Sequence, residues 1–358
     1  MAIDRVKEYL NGDEEAAFLL RSGDLHAACL MLAAKAQGIQ TQILDIGAQA
    51  GAPRSPLLRL FLPGKTAYFR RGRMKLGGPE ARPEECGHIN GALSTVVDSK
   101  RGSKDLIRVL GFPTPAGTTF HASQEREAVA WFESFGRAVC LKPDKGRQGT
   151  GVFPGLTAPD EFRHAFRTVA GHCPTVVAEE YTQGSAVRFF FVRPKVVGVR
   201  IDLPANVEGD GTSSVARLIE AKNEEKRLRT GHTPIHVDED VLRHLDRRGL
   251  TLDSVPVRGE RLFLRSVSNG CKGGDSVASP NAVHPTYIER IEGMCNAIRG
   301  FNVTAVDTKM RDPLVPASLD NYRILEINSN PGVVPYHFPW EGAPQDVCTP
   351  MVRLLTVL

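Results

Sequence analysis

Apolar positions early in the chain recur at helical spacing from Glu14 to Gln37, most densely over Ala27-Ala-Cys-Leu-Met-Leu-Ala33, and Gly38 closes the run. Ile39-Gln-Thr-Gln-Ile-Leu-Asp45 then alternates apolar and polar residues as a strand does, and Thr66-Ala-Tyr-Phe-Arg70 reads as another. Gly47 to Pro56 is a Gly- and Pro-rich loop, and Gly77 to Gly87 a long loop or linker. Helices are expected over Ser103–Leu110, Pro159–Val169, Pro285–Arg299 and Gln345–Leu358. Strands are expected over Arg137–Pro143, from Gly151 onward, and over Thr175–Tyr181, Val187–Val192, Lys195–Ile201, Asn302–Asp307 and Arg323–Asn328. Helices interleaved with hairpins predict an α/β fold with mixed sheets, α+β in character, and exclude a purely parallel sheet.

A length of 358 residues leaves room for two or three domains, and 41% hydrophobic with 24% charged residues is ordinary globular composition. The net charge of +4 suits a phosphate-bearing ligand but is too small and dispersed for a nucleic-acid surface. The densest basic patch, Phe69-Arg-Arg-Gly-Arg-Met-Lys75, reads as a solvated strand edge. Seven cysteines with no Cys-x-x-Cys pair point to neither a disulfide framework nor a zinc site, and fit a reducing cytosol. The N-terminus alternates charges around no apolar core, unlike a signal peptide, and no window approaches the ~20 apolar residues of a membrane span. A cytoplasmic protein without membrane or nucleic-acid partners is expected.

Four segments carry candidate chemistry. Arg323-Ile-Leu-Glu-Ile-Asn-Ser-Asn-Pro-Gly332 puts Glu326 and Asn328 two apart on a strand, hence on one face, before a turn. With Asp307, the end of another apolar strand, they offer oxygen ligands to a hard cation such as Mg²⁺. Leu141-Lys-Pro-Asp-Lys-Gly-Arg-Gln-Gly-Thr-Gly-Val152 places Gly146, Gly149 and Gly151 in a hairpin loop able to fold over an anion. There Lys142 closes the strand, and Lys145 and Arg147 add charge. It is not a Gly-x-x-x-x-Gly-Lys-Ser/Thr loop. Glu179-Glu-Tyr-Thr-Gln-Gly184 ends a strand where main-chain groups can read an adenine edge and a carboxylate can take an amine or ribose hydroxyl. Arg265 ends a strand before Ser-Val-Ser-Asn-Gly-Cys-Lys-Gly-Gly274, positioned to stabilise developing negative charge. Cys271 has no nearby histidine in sequence to activate it as a nucleophile. Each segment alone also reads as a polar strand end or a surface turn.

In this order, with Val97-Asp-Ser-Lys100 and Gly111-Phe-Pro-Thr-Pro-Ala-Gly117 ahead of them, the segments resemble the ATP-grasp superfamily of carboxylate–amine ligases. Pro204-Ala-Asn-Val-Glu-Gly-Asp-Gly211, Arg217–Asn223, Leu252–Pro256 and Glu341-Gly-Ala-Pro344 are similar to the ATP-grasp domain of cyanophycin synthetases and bifunctional glutathione synthetases. The resemblance covers about residues 96–358. It implies an ATP-grasp fold after a small N-terminal α/β domain (1–95), divided into a small lobe (96–185) and a C-terminal lobe (186–358). It implies ATP and two Mg²⁺ ions as cofactors, amide formation through an acyl phosphate, a carboxylate and an amine as substrates, and a homodimer as the candidate assembly.

By position, the resemblance assigns Lys100, Lys142 and Lys145 with Gly146, Gly149 and Gly151 to the phosphates. Glu179, Glu180 and Tyr181 go to the nucleoside, and Asp307, Glu326 and Asn328 to the metals. Arg188, Arg265 and Lys142 serve catalysis, while Asn269, Lys272, Gly273, Gly274, Tyr336 and His337 face the substrate. The chain departs from the family where an acidic ribose contact is replaced by Ala186, with Glu180 or Ser185 as substitutes. It departs again at Cys271-Lys272, and at Val334 and Tyr336, with His337 one residue away. These changes imply an acceptor other than that of cyanophycin synthesis. The first hundred residues show no resemblance to the first domain of those enzymes. The alternative expectation is an ATP-binding homologue without turnover.

Overall fold

The computed structural model describes residues 5–44, 56–146, 149–278 and 280–358. The expected 47–56 loop, apart from Pro56, and Arg147 lie outside them. The chain opens with helices Arg5–Leu10, Glu14–Arg21 and Leu25–Ala36. The single helix expected over 14–37 is thus two, because Gly23 takes φ +76° and Asp24 caps the second by accepting from the Ala27 N–H at 3.0 Å. An antiparallel sheet follows: β1 (Thr41–Leu44), β2 (Leu57–Leu62), β3 (Lys65–Arg70), β4 (Arg73–Gly77) and β5 (Gly87–His88). β2, which has no counterpart among the expected strands, alternates with Leu58, Leu60 and Leu62 buried. The β3–β4 hairpin turns at Arg71-Gly72, both with positive φ (47° and 85°). That is the two-residue turn whose twist matches the strands, but arginine in a left-handed conformation costs roughly 1–2 kcal/mol.

A four-stranded antiparallel sheet forms the small lobe, in the order β6 (Gly117–His121), β9 (Thr175–Glu180), β7 (Val139–Pro143), β8 (Phe153–Leu156). Helices Glu125–Phe135 and Pro159–Ala170 cover one face, burying Phe132, Phe162 and Phe166. The chain then enters β10 (Ser185–Val192) and β11 (Lys195–Leu203). It leaves for a two-stranded ribbon, β12 (Asn206–Glu208) with β13 (Arg261–Phe263), and returns as β14 (Asp275–Ala278), β15 (Val303–Met310), β16 (Tyr322–Asn328) and β17 (Glu341–Gly342). The large sheet runs β16-β15-β10-β11-β14-β17 and is antiparallel except for β14–β17.

β10 is central and buried on both sides, as its run of phenylalanines requires. Phe189 and Phe191 pack under helix Pro285–Ala297, while Phe190 and Val192 face a core shared by the N-terminal helices and the C-terminal helix Cys348–Val357. Each buried phenylalanine contributes roughly 1.5–3 kcal/mol. On that second side the strand changes character toward its start: Arg188 and Ala186 share the parity of Phe190 but meet an open cleft instead of a core.

Candidate active site

The cleft, about 740 Å³, lies between the small-lobe sheet and the large sheet, a volume in the range of small-molecule sites. Its floor is built by register. Arg188 on β10 lies opposite Asp307 on β15 and opposite Arg200 on β11, and Asp307 lies opposite Glu326 on β16. The β15–β16 ladder slips by one residue between Asp307 and Thr308, leaving Leu325 as the extra residue. Before the slip, Tyr322 and Ile324 point into the core; after it, Ile327 does, so Glu326 and Asn328 turn toward the cleft. An unbulged strand would bury Glu326.

Arg188 makes a two-pronged ion pair with Asp307, and Asn328 Nδ2 donates to Asp307 Oδ2 at 2.8 Å. Burial alone would raise the Asp307 pKa, but the Arg188 guanidinium holds its carboxyl below the usual range. Lys100 Nζ stands 3.7 Å from Glu326 Oε2 and donates to the Gly146 carbonyl at 3.1 Å. Cations therefore already neutralise Asp307 and Glu326. A half-turn of the Asn328 amide would present Oδ1 beside two carboxylates. Among the described residues no group of three or more His, Cys, Asp or Glu side chains forms a metal site. The sparse, all-oxygen set of Asp307, Glu326 and Asn328 fits an ion that keeps waters and shares phosphate oxygens, as Mg²⁺ does.

The small-lobe wall presents Lys142 and Glu179. Lys142 Nζ lies 2.7 Å from Glu179 Oε1, and Lys104 Nζ lies 2.5 Å from Oε2, all three side chains being buried. Burial opposes charge on both lysines. At Lys142 the carboxylate overcomes it and the pKa rises; at Lys104, which also faces Lys142, burial prevails and the pKa falls. With both lysines protonated the triad has one excess positive charge. Glu179 is thereby the lysines' counter-ion, each of its oxygens lying within 2.7 Å of an ammonium group, in contrast to the adenine contact expected of it. The Glu180 N–H donates to Ala116 O and the Tyr181 N–H to Ala138 O, so these amides too are already used. Thr182 lines the same wall with a buried Oγ1 that has no partner among the described residues, and is a polar group able to read a base edge. A lone threonine in a loop gives no sequence signal for this.

Gly146, Gly149 and Lys145 overhang the cleft, and a Cβ at Gly149 would touch Asn269 Nδ2 and Val267 at 3.5 and 3.6 Å. The glycine loop and the 266–274 loop therefore face each other. Gly149 and Gly151 hold φ of 65° and 70°. Gly184, which closes the Glu-Glu-Tyr segment, has φ +117°, and a Cβ there would lie 2.1 Å from Met310 O, so only glycine fits.

Other expected residues fall elsewhere. Arg265 does not line the cleft: its Nη2 donates to His236 O at 3.0 Å and pairs with Asp238 at 2.9 Å, bracing the loop from behind. Lys272 reaches outward to Asp240 at 3.5 Å, and Gly273 packs on Ile235, whereas Asn269 and Gly274 do line the cleft. Tyr336 and His337 are buried in the shared core. Tyr336 Oη donates to Arg188 O at 3.3 Å, its ring lies 5.0 Å from the Arg200 guanidinium, and burial lowers the His337 pKa to about 4. Ser185 is outside the cleft, while Glu180 lines it and lies 3.3 Å from Arg137. Asp202, the β11 partner of Ala186, supplies a cleft-lining carboxylate beside the position that lacks one. Arg200 and Asp202 carry a signal only in retrospect, as charges alternating with Val199 and Ile201. The basic 69–75 patch is corrected as well: Arg71 at its hairpin tip lines the cleft.

No protein-family model matches the chain. Over 262 residues, 72% of its length, the chain is 30% identical to a cyanophycin synthetase of Crocosphaera subtropica. Over 329 residues, 89% of its length, it is 30% identical to the bifunctional glutathione-biosynthesis protein of Mannheimia succiniciproducens. It spans 30% and 41% of those two proteins. The crystal structure of a bifunctional glutathione synthetase from Pasteurella multocida matches it at TM-score 0.63 and 27% identity, covering 92% of this chain and 44% of that one. Matches of that extent reach into the first 95 residues, so the similarity is not confined to 96–358 as expected. No helix among the described residues is long and apolar enough to cross a membrane.

Proposed function

We infer, from the premise that this chain belongs to the ATP-grasp superfamily, that it is an ADP-forming ligase of the cytoplasm joining an amino-acid or peptide carboxylate to an amine. The observation that carries this reading is the meeting, in one cleft, of a cation-rich wall and glycine loop with a floor of Asp307, Glu326 and Asn328. The division into 1–95, 96–185 and 186–358 gives the first unit to the substrate side, the second to the nucleotide, and the third to the metals.

In the reaction a substrate carboxylate oxygen attacks the γ-phosphorus and ADP leaves. The amine nitrogen then attacks the acyl carbon, phosphate leaves, and the nitrogen gives up a proton. The chain's contribution is position and charge, without a covalent protein nucleophile. Lys142 holds phosphate oxygens with the surplus charge of its buried triad, Lys100 and Lys145 add to it, and the Gly146–Gly151 loop covers them. Thr182 reads the base and Asp202 the ribose hydroxyls that Ala186 leaves without an acid. That removes the one observation favouring a nucleotide binder without turnover. Asp307, Glu326 and Asn328 would hold Mg²⁺, two ions in this reading, which when bound neutralises phosphate oxygens. Arg188, fixed by Asp307 and by Tyr336 behind it, faces the transferred phosphoryl group.

The test is ADP release by the full chain with MgATP and a panel of amino acids and dipeptides paired with amines. Turnover is expected only with a matching carboxylate and amine, and Asp307→Ala or Glu326→Ala lowers it by at least about a hundredfold. A folded chain that binds ATP yet releases no ADP across the panel, or an Asp307→Ala variant with undiminished turnover, refutes the reading.

A further inference from the structure

One end of the cleft is walled by the N-terminal unit. His26, on helix Leu25–Ala36, accepts the Val333 N–H at Nδ1 over 3.1 Å, so its proton sits on Nε2, for which no described residue provides an acceptor. Arg71 occupies the β3–β4 turn in a strained left-handed conformation, although asparagine or glycine would fit there without cost. One buried carboxylate fixes both: Asp24 accepts from the Ala27 N–H at the start of the His26 helix (3.0 Å) and from the Arg71 N–H (2.9 Å). Gly72 then abuts the segment after the metal-binding strand, where a Cβ would lie 2.9 Å from Asn330 O.

Arg200 completes the cluster from the large sheet. It is 6% exposed, and Asp202 lies near both its Nε (3.0 Å) and its Nη2 (3.1 Å), but only the Nη2 contact has hydrogen-bond geometry. Its buried Nε has no acceptor among the described residues. Two guanidiniums and a neutral N–H donor thus line one end of the cleft where backbone strain is maintained; Asp202 answers one edge of Arg200, and among the described residues no carboxylate answers Arg71. Strain kept at a non-glycine turn position marks a side chain retained for what it contacts, and paired guanidiniums suit a planar carboxylate.

We propose that Arg71, Arg200 and His26 form a subsite for a second carboxylate of the substrate, one that is not activated, such as the free C-terminus or acidic side chain of an amino acid or short peptide. This rests on the ligase reading for its place in the reaction, but the binding itself does not need turnover. Arg71 is a specificity residue of the N-terminal unit: it holds the end of the substrate away from the phosphates.

The test measures binding of the same amino acids and dipeptides, each as free acid and as C-terminal amide, to the full chain saturated with a non-hydrolysable ATP analogue, by calorimetry. At least one acid is expected to bind at least tenfold tighter than its amide. Arg71→Gly is expected to remove that preference while raising the melting temperature, since the left-handed strain is relieved, and leaving ATP-analogue affinity unchanged. Arg71→Lys should restore part of the preference. Acids and amides binding alike, no acid binding at all, or a preference unmoved by Arg71→Gly would each overturn the subsite. Arg71-dependent acid binding without ADP release would sink the ligase reading and leave the subsite standing.

Discussion

Replacing Glu179 by glutamine removes the carboxylate that bridges Lys104 and Lys142 while keeping the side chain's shape. The three side chains are 4–7% exposed, so two ammonium groups would be left buried and facing each other. Breaking a buried pair in this way costs about 3–5 kcal/mol, and the second lysine places Glu179→Gln toward the upper end. The chain has two tryptophans, Trp131 on the small lobe and Trp340 beside helix Val215–Leu228. In a Trp340→Phe background, urea unfolding followed by Trp131 fluorescence therefore reports on the lobe that holds Glu179. The loss should be present at pH 7 and smaller in acid. Burial would raise the Glu179 pKa, but Lys142 and Lys104 hold it below the usual carboxylate value. Its contribution is thus complete above about 4.3 and disappears as pH falls through the lowered folded value. Lys104→Met added to Glu179→Gln should recover part of the stability by removing one uncompensated charge. A loss below about 1 kcal/mol at pH 7, or one that grows toward pH 3, would refute the buried-triad account and with it the surplus charge assigned to phosphate binding.

Gly184→Ala should destabilise the chain by ~2–4 kcal/mol in the same denaturation assay, because its Cβ would meet Met310 O at 2.1 Å; a neutral substitution would show that β10 starts differently. Cys271 is exposed and the other six cysteines are buried. Native maleimide labelling followed by peptide mass spectrometry should therefore mark residue 271 first, and saturating nucleotide should slow it by at least about tenfold, as the glycine loop closes on the loop carrying it. Asp275→Asn leaves Lys226 buried without its carboxylate at 2.7 Å; a loss of about 3–5 kcal/mol is expected, read from Trp340 in a Trp131→Phe background.

Much of the ladder is legible in the sequence. The expected strands at 137–143, 175–181, 187–192 and 323–328 match β7, β9, β10 and β16 to within two residues, since each is an apolar run bounded by glycine, proline or charge. The missing pieces have local reasons. The 14–37 helix reads as continuous because Ala16, Leu19, Leu30 and Ala33 lie 3, 11 and 3 residues apart, helical spacings that span a break made by Gly23 and Asp24. Lys100 lines the cleft from the start of its helix, and Lys142, Gly146 and Gly149 line it because a strand end and its hairpin have few places to go. Arg265, Tyr336 and His337 do not, because position in a motif says nothing about which neighbour claims a side chain: Asp238 takes Arg265, and the N-terminal core takes the other two.

The sequence by itself determined which residues could hold phosphate and metal, since residue type, strand parity and glycine are local properties. The tertiary structure alone decided which of them meet. A one-residue bulge at Leu325 aims Glu326 and Asn328 outward, and β10–β15 register sets Arg188 on Asp307. Packing of a turn more than two hundred residues away brings Arg71 to the far wall. Register and packing depend on partners distant in the chain, and no window of sequence contains them.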